Sequence, residues 1–241
     1  MVQLVNKIVG VLLEMPDPQR EGVVIDSNNY DLIYHFTQTL QRYDYKAVIL
    51  HNNLSKEFVQ THSSAYLSFV RVVPDLNYNV YINKFIVVQR YLEVVRFDKV
   101  LISDLTDVVF LKAGLFDWFK EGVIYSGSEN DKLSSPWIRE NSLTLRNGNK
   151  DFDDWWLGNK DALQLLNCGL IAGWYNSLKQ ELFDLVKTLM LYAKGTNEIA
   201  EMFTWNMIAY RSGKKIITNE PFNTEFKKYD KLNTNCYVAH K

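Results

Sequence analysis

Asp104 and Asp107 are the residues whose placement in this 241-residue chain first asks for a chemical explanation. They lie in LISDLTDVVFL, residues 101–111, three positions apart between two apolar segments. Two carboxylates at the end of a buried strand can hold a divalent cation. Hard Mg²⁺ or Mn²⁺ prefers carboxylate oxygens and keeps coordination positions open for phosphate. Such an ion clamps a diphosphate and absorbs the charge that develops as the diphosphate leaves. The same pair also suits a turn in which Asp side chains cap backbone amides. The continuation Val108, Val109, Phe110 favours the cation, because surface turns seldom run straight into apolar residues.

The elements around the pair follow from hydrophobic periodicity. Residues 99–103, KVLIS, read as a strand that delivers both aspartates at its carboxyl end. Further strands are expected at 8–13, 46–52, 69–73 (halted by Pro74), 123–129 and 165–173, with KKIITNE and CYVAHK as late strands or as a strand and a tail. Helices are expected at 27–42 (capped by Ser27 or an Asn), 55–62, 81–95, 177–195 (Ser177 as cap, Gly195 as stop) and 197–213. In 81–95, Phe85, Val88, Leu92 and Val95 recur at helical spacing. The polar stretch 130–160, rich in Asn, Asp, Lys and Trp, reads as a loop, either contacting substrate or simply solvated. Short, continuously apolar strands between helices predict an α/β fold: a mostly parallel sheet covered on both faces. In such sheets ligands gather at the carboxyl ends of strands, where the aspartates are. Neither an internal repeat nor a Pro/Gly-rich linker interrupts the chain, so one domain over residues 1–241 is expected.

Composition narrows the function classes. The 27 basic and 28 acidic residues are spread along the chain, so no electrostatic footprint for nucleic acid or an anionic membrane exists. Aromatics reach 14%, serving either core filling or stacking against ring-shaped ligands. Two cysteines, Cys168 and Cys236, make neither a disulfide framework nor a zinc cluster and predict reduced thiols in a cytoplasmic setting. The opening MVQLVNKIVGVLLEMPD is too short and interrupted to span a bilayer. No transmembrane segment is expected, and membrane-bound material would be reached from the soluble side or through a segment absent from this sequence. The chain stops abruptly at CYVAHK, as a piece of a longer protein would. No G-x-G-x-x-G follows a strand, which argues against a dinucleotide-binding oxidoreductase.

DKVLISDLTDVVFLKAGLFDWF resembles the metal-binding segment of GT-A-type glycosyltransferases, in which a strand ends in D-x-D before a hydrophobic V-V-F. Here the spacing is widened to D-x-x-D. Asp107 matches the second, metal-ligating Asp, and Asp104 matches the first with one extra residue between them. LNCGLIAG resembles the family's N-x-G-[LV]-x-x-G strand near the donor sugar and acceptor, which implies roles for Asn167 and Gly169. NEIAEMFTWN resembles the later helix carrying D-Q-x-x-x-N, or an acidic pair in inverting relatives. Glu201 takes the acidic position, Met202 departs from Gln, and Asn206 keeps the Asn. YVAHK resembles the closing H-x-x-G-x-x-K, implying His240 as a metal ligand, although the rest of that motif is missing.

The resemblance, spread through the chain, implies a GT-A-like single domain with a nucleotide-binding half at about 1–112 and an acceptor-side half at about 113–241. It implies Mn²⁺ or Mg²⁺, a nucleoside-diphosphate sugar donor (a UDP-sugar favoured) and a hydroxyl on a glycan acceptor. Similar enzymes carry a cation before Phe on the helix preceding the metal strand. Lys84 with Phe85 fits that pattern, Arg90 less well, and a solvated lysine is the alternative.

Other residues offer further contacts. His51, Asn52 and Asn53 end a strand and suit a uracil or ribose edge, or equally a turn satisfying its own backbone. Leu13, Glu14 and Met15 would flank the base by family analogy. Asn206 interrupts an apolar helical stripe of Ile199, Met202, Phe203 and Tyr210, so it needs backbone or ligand partners. Glu201, beside that stripe, is the expected general base of an inverting transfer, would hold the donor sugar in a retaining one, and is otherwise a solvated helix residue. Asp153 and Asp154, next to Trp155 and Trp156, are rival bases on an acceptor wall that includes Glu129 and Trp137. The alternative is a segment pinned by Trp burial. Two competing functions remain. A sugar nucleotidyltransferase is disfavoured, because EMPDPQREG follows the first strand where a Gly-rich phosphate loop belongs. A catalytically silent sugar- or nucleotide-binding module would differ in binding its ligand without regard to metal.

Overall fold

A computed structural model describes residues 6–218, 220–224 and 235–240. In chain order the strands are β1 (Asn6–Leu12), β2 (Pro16–Asp17), β3 (Val23–Val24), β4 (Ala47–His51), β5 (Leu67–Arg71), β6 (Lys99–Ser103), β7 (Val108–Phe110), β8 (Val123–Lys132), β9 (Gln164–Trp174), β10 (Lys215–Ile217), β11 (Phe222–Asn223) and β12 (Val238–His240). The helices are α1 (Tyr34–Arg42), α2 (Lys56–His62), α3 (Val80–Val94), α4 (Pro136–Glu140), α5 (Leu143–Gly148), α6 (Lys150–Asn159), α7 (Tyr175–Tyr192) and α8 (Glu201–Arg211).

Seven strands form the central sheet in the order β10-β8-β9-β6-β1-β4-β5. Every neighbouring pair is parallel except those made by β9, which runs antiparallel to both β6 and β8. The expected α/β class, with a mostly parallel mixed sheet, is what the chain forms. Apolar residues point both ways from the strands. Val9, Val100 and Ile102 join a core with α3, α7 and α8, while Ile8, Leu101 and Ile49 join another with α1 and Phe58 of α2. Burial on both faces is why the strands read as unbroken apolar runs rather than alternating ones.

Several boundaries move. The helix expected at 27–42 divides into a 3₁₀ turn at Tyr30–Leu32, capped by Asn29, followed by α1. Ser27 caps nothing; it donates to Glu14 Oε2 at 2.9 Å. Ser177 is likewise no cap, since it lies inside α7 and accepts from the Gly122 amide at 2.8 Å. Helix α8 begins four residues later than expected, at Glu201. The largest correction concerns 130–160, expected as a loop. Pro136 at a helix start, the Ser135 hydroxyl accepting from Ile138, and Asn149 accepting from Asp151 instead set up α4 and α6, with α5 between them. Polar composition concealed three short helices whose apolar residues Ile138, Leu145, Phe152 and Trp156 are buried.

A second sheet, β11-β12-β7, lies beside the first. In it β12 pairs antiparallel with β7, setting His240 opposite Val108. A hairpin of β2 and β3 projects next to α3.

Candidate metal centre and adjoining cleft

Strand β6 ends at Ser103, but pairing continues for one residue: the Asp104 amide donates to the Gly169 carbonyl at 2.8 Å. The chain then turns through Leu105 and Thr106 before β7 begins at Val108. Leu105 explains the widened spacing of the carboxylates. Its side chain is 4% exposed and lies over β1 where Gly10 has no side chain; a Cβ there would be 2.2 Å from Leu105 Cδ2. Leu105 is thus an apolar plug within D-x-x-D, while its neighbour Thr106 is exposed.

His240 completes a cluster. Its Nε2 lies 3.4 Å from Asp104 Oδ2 and 3.6 Å from Asp107 Oδ1. One ligand atom from each of the three residues falls within 4.8 Å of the others, so the group could hold a metal ion. Two further observations fit a cation. Asp107 Oδ1 is a buried oxygen with no hydrogen-bond partner, and a buried carboxylate oxygen is costly to leave unpaired. Gly169 supplies the space: a Cβ there would lie 2.0 Å from His240 Cε1 and 2.7 Å from Asp104 Oδ2. The donor set of two carboxylates and one imidazole suits a divalent ion.

Electrostatics tie Lys84 to the same group. From α3 its Nζ donates to Asp104 Oδ1 at 2.5 Å and to the Cys168 carbonyl at 3.0 Å. Burial works against ionising Asp104, but Lys84 and His240 outweigh it and hold the carboxyl below the usual carboxylate range. Burial would also lower Lys84 and His240, yet the charge of Asp104 raises both. Asp107 is pushed up by burial, with His240 countering and Asp104 reinforcing the rise.

Two cavities meet at this centre and share Gln19, Tyr81, Lys84 and Asp104. The first, about 310 Å³, runs along the carboxyl end of β1 past Leu12, Leu13, Met15, Ile25 and Val80 and includes Asp107. The second, about 220 Å³, reaches Trp137, Asn167, Gly169, Glu201, Met202 and His240. Glu201 is 5% exposed, and its Oε2 has no hydrogen-bond partner. Burial pushes its carboxyl up to about 7, and the nearby Lys84 only partly opposes this.

No protein-family model matches this chain, and no curated protein matches it.

The sequence-expected site residues separate into two groups. Asp104, Asp107, His240, Lys84, Asn167, Gly169 and Glu201 converge at the cleft. Asn167 accepts from the Gly169 amide at 2.6 Å and donates to Glu129 Oε1 at 2.5 Å, beside the irregular stretch of the β8–β9 pairing. Asn206 does not join them. Its side chain bonds the Leu166 amide and carbonyl and the Met202 carbonyl, so the backbone, not a ligand, satisfies it.

His51 and Asn52 are also spent locally. His51 Nδ1 accepts from the Leu54 amide, and Asn52 bonds both the amide and the carbonyl of Glu14. His51 closes the turn after β4, Asn52 fastens that turn to the segment after β1, and neither lines either cavity. Glu14 itself turns to Ser27 and Asn53, leaving Leu13 and Met15 at the cleft. Asp153 and Asp154 sit on α6 outside both cavities. Asp153 receives Arg146 at 2.7 Å, and Asp154 pairs with exposed Lys150. Arg90 is an exposed residue of α3.

Sequence reasoning missed Tyr81 and the β2–β3 hairpin. The Tyr81 hydroxyl donates to Asp17 Oδ1 at 2.9 Å, tying the hairpin to α3, while Gln19 enters both cavities. Tyr81 lies three residues before Lys84, and that i,i+3 relation on a helix was the available signal.

Proposed function

We propose that this chain is a GT-A-like, divalent-metal-dependent glycosyltransferase. It would move a sugar from a nucleoside-diphosphate sugar, a UDP-sugar favoured, to a hydroxyl of a glycan acceptor. The observation that carries the reading is the Asp104–Asp107–His240 cluster, built around Gly169 at the carboxyl edge of the parallel strands where two cavities join.

Asp104, Asp107 and His240 would hold Mn²⁺ or Mg²⁺. Bound there, the cation supplies positive charge to the two phosphates and to the charge that grows as they depart. Lys84 presents an ammonium at the junction of the cavities, already oriented by Asp104 and the Cys168 carbonyl, where a phosphate oxygen can accept from it. The apolar walls of the larger cavity suit the nucleoside, and the smaller cavity suits the sugar.

Glu201 faces the smaller cavity with an unpaired oxygen. With its carboxyl near 7 it is tuned to accept a proton at neutral pH. As the acceptor oxygen bonds the anomeric carbon and the bond from that carbon to the diphosphate breaks, the acceptor proton passes to Glu201. This assignment favours inversion. Asp153 and Asp154 have no part in it.

Calorimetry with UDP and with GDP, each with and without Mn²⁺, tests the proposal together with donor hydrolysis. Nucleotide binding that requires Mn²⁺, and hydrolysis lost in Asp107→Ala, support the enzyme. Binding indifferent to the metal and unaffected by that substitution would identify a silent binding module instead.

A further inference from the structure

The smaller cavity offers neutral hydrogen-bonding groups but no unmatched cation. At about 220 Å³ it holds roughly seven water volumes, the scale of a single pyranose ring. Among the described residues, Lys84 and His240 are the only basic side chains that line it, and no arginine does. Lys84 is matched by Asp104 at 2.5 Å and has its remaining N–H given to the diphosphate in the donor reading, and His240 lies within the metal cluster. The Tyr81 hydroxyl bonds Asp17 and the Asn167 amide bonds Glu129, which leaves the neutral donors of Gln19 and Trp137 to a ligand. Oε2 of Glu201, on a side chain 5% exposed, is an unpaired oxygen beside them. Trp137 and Met202 add apolar surface to the same lining, and an indole face packs well against the C–H face of a sugar ring.

We propose that this cavity selects an uncharged, hydroxyl-rich pyranose and rejects a sugar that carries a carboxylate. A sugar hydroxyl donates to Glu201 and satisfies it. A uronate at the same place sets a second carboxylate against Asp104 and, above pH 7, against an ionised Glu201, while Lys84 and the cation of the donor reading are taken by the aspartates and the diphosphate. Rejecting a ligand by an unpaired like charge is an effective route to specificity, because the cost falls on the wrong ligand alone. The inference rests on the donor reading above and adds the class of sugar to it.

The test is competition binding in the presence of Mn²⁺, using UDP, UDP-glucose and UDP-glucuronate beside GDP, GDP-mannose and GDP-mannuronate. For whichever diphosphate binds, the neutral sugar ester should bind at least tenfold more tightly than the matching uronate. Glu201→Gln should narrow that gap to within about threefold. Met202→Lys, which adds a cation to the cavity wall without touching the acidic groups, should shift preference toward the uronate even if Glu201→Gln folds poorly. Equal affinity for hexose and uronate esters in the wild-type protein overturns the selectivity and leaves the donor reading standing. Failure of both UDP and GDP to bind with Mn²⁺ overturns the donor reading and this inference with it.

Discussion

Gly169 has a sharper role than its place in a strand suggests. With a Cβ only 2.0 Å from His240 Cε1, alanine there must displace the imidazole or the strand. Overpacking of this kind costs about 1–3 kcal/mol. Gly169→Ala should therefore lower urea stability by that amount, and it should weaken Mn²⁺ binding at least tenfold in calorimetry. Retained metal affinity would mean that His240 is not a ligand. Glu201 makes a different prediction. Its carboxyl rises from 4.5 to about 7 on folding because of burial. Below pH 4.5 both states hold the proton; between 4.5 and 7 only the folded state does, so unfolding releases it and stability falls as pH rises. The loss approaches about 3 kcal/mol above pH 7. Metal-free Glu201→Gln should match the wild-type protein in urea titrations at pH 4.5 and exceed it at pH 8. Parallel pH profiles for the two proteins would contradict the burial described for Glu201.

At the level of elements, Asn206 clamps α8 to β9 by taking both polar groups of the Leu166 backbone. Asn206→Ala leaves those groups buried and unpaired, at a cost of about 2–5 kcal/mol. Chemical denaturation should register the loss, while nucleotide affinity measured at full folding should change by less than threefold. Such a result would separate a clamp from a ligand. Asn206 also shows where the sequence stops informing. A buried Asn on an apolar stripe announces that it has partners, but periodicity does not distinguish a strand backbone from a ligand. The main elements were legible because β4, β6, β9 and α3 combine unbroken apolar character with clear stops. Residues 130–160 were not, because α4 and α5 hold only five and six residues, fewer than two turns, too few to impose a pattern on polar neighbours. Asp153 and Asp154 lie on the ten-residue α6, a helix that the polar sequence did not reveal. Side by side with tryptophans they suggested a sugar wall, whereas the helix directs Asp153 to Arg146 and Asp154 to Lys150.

For the whole molecule, the candidate centre joins segments far apart in the chain, since Asp104 and Asp107 meet His240 only through the pairing of β7 with β12. No sequence period encodes such a meeting; only the motif resemblance suggested it. The central sheet and its two cores hold the aspartates, and among the described residues no helix is long and apolar enough to cross a membrane. A ligand that binds only the folded state stabilises it by about 2.7 kcal/mol at a hundredfold excess over its Kd. For a chain of this size that corresponds to a rise in Tm of about 5–10 °C, reversed by chelator. Scanning calorimetry should find the rise with Mn²⁺ and lose it in Asp107→Ala. The third corner of the triad is secured far less firmly than the other two. β12 has three residues, and its neighbours β7 and β11 have three and two. Amide exchange in the absence of cation should thus open Val238–His240 well before Lys99–Ser103, and Mn²⁺ should protect that short ribbon selectively. An affinity titrated from the apo protein then includes the work of docking the ribbon, so it understates the grip of the assembled cage by the fraction of time the ribbon is seated.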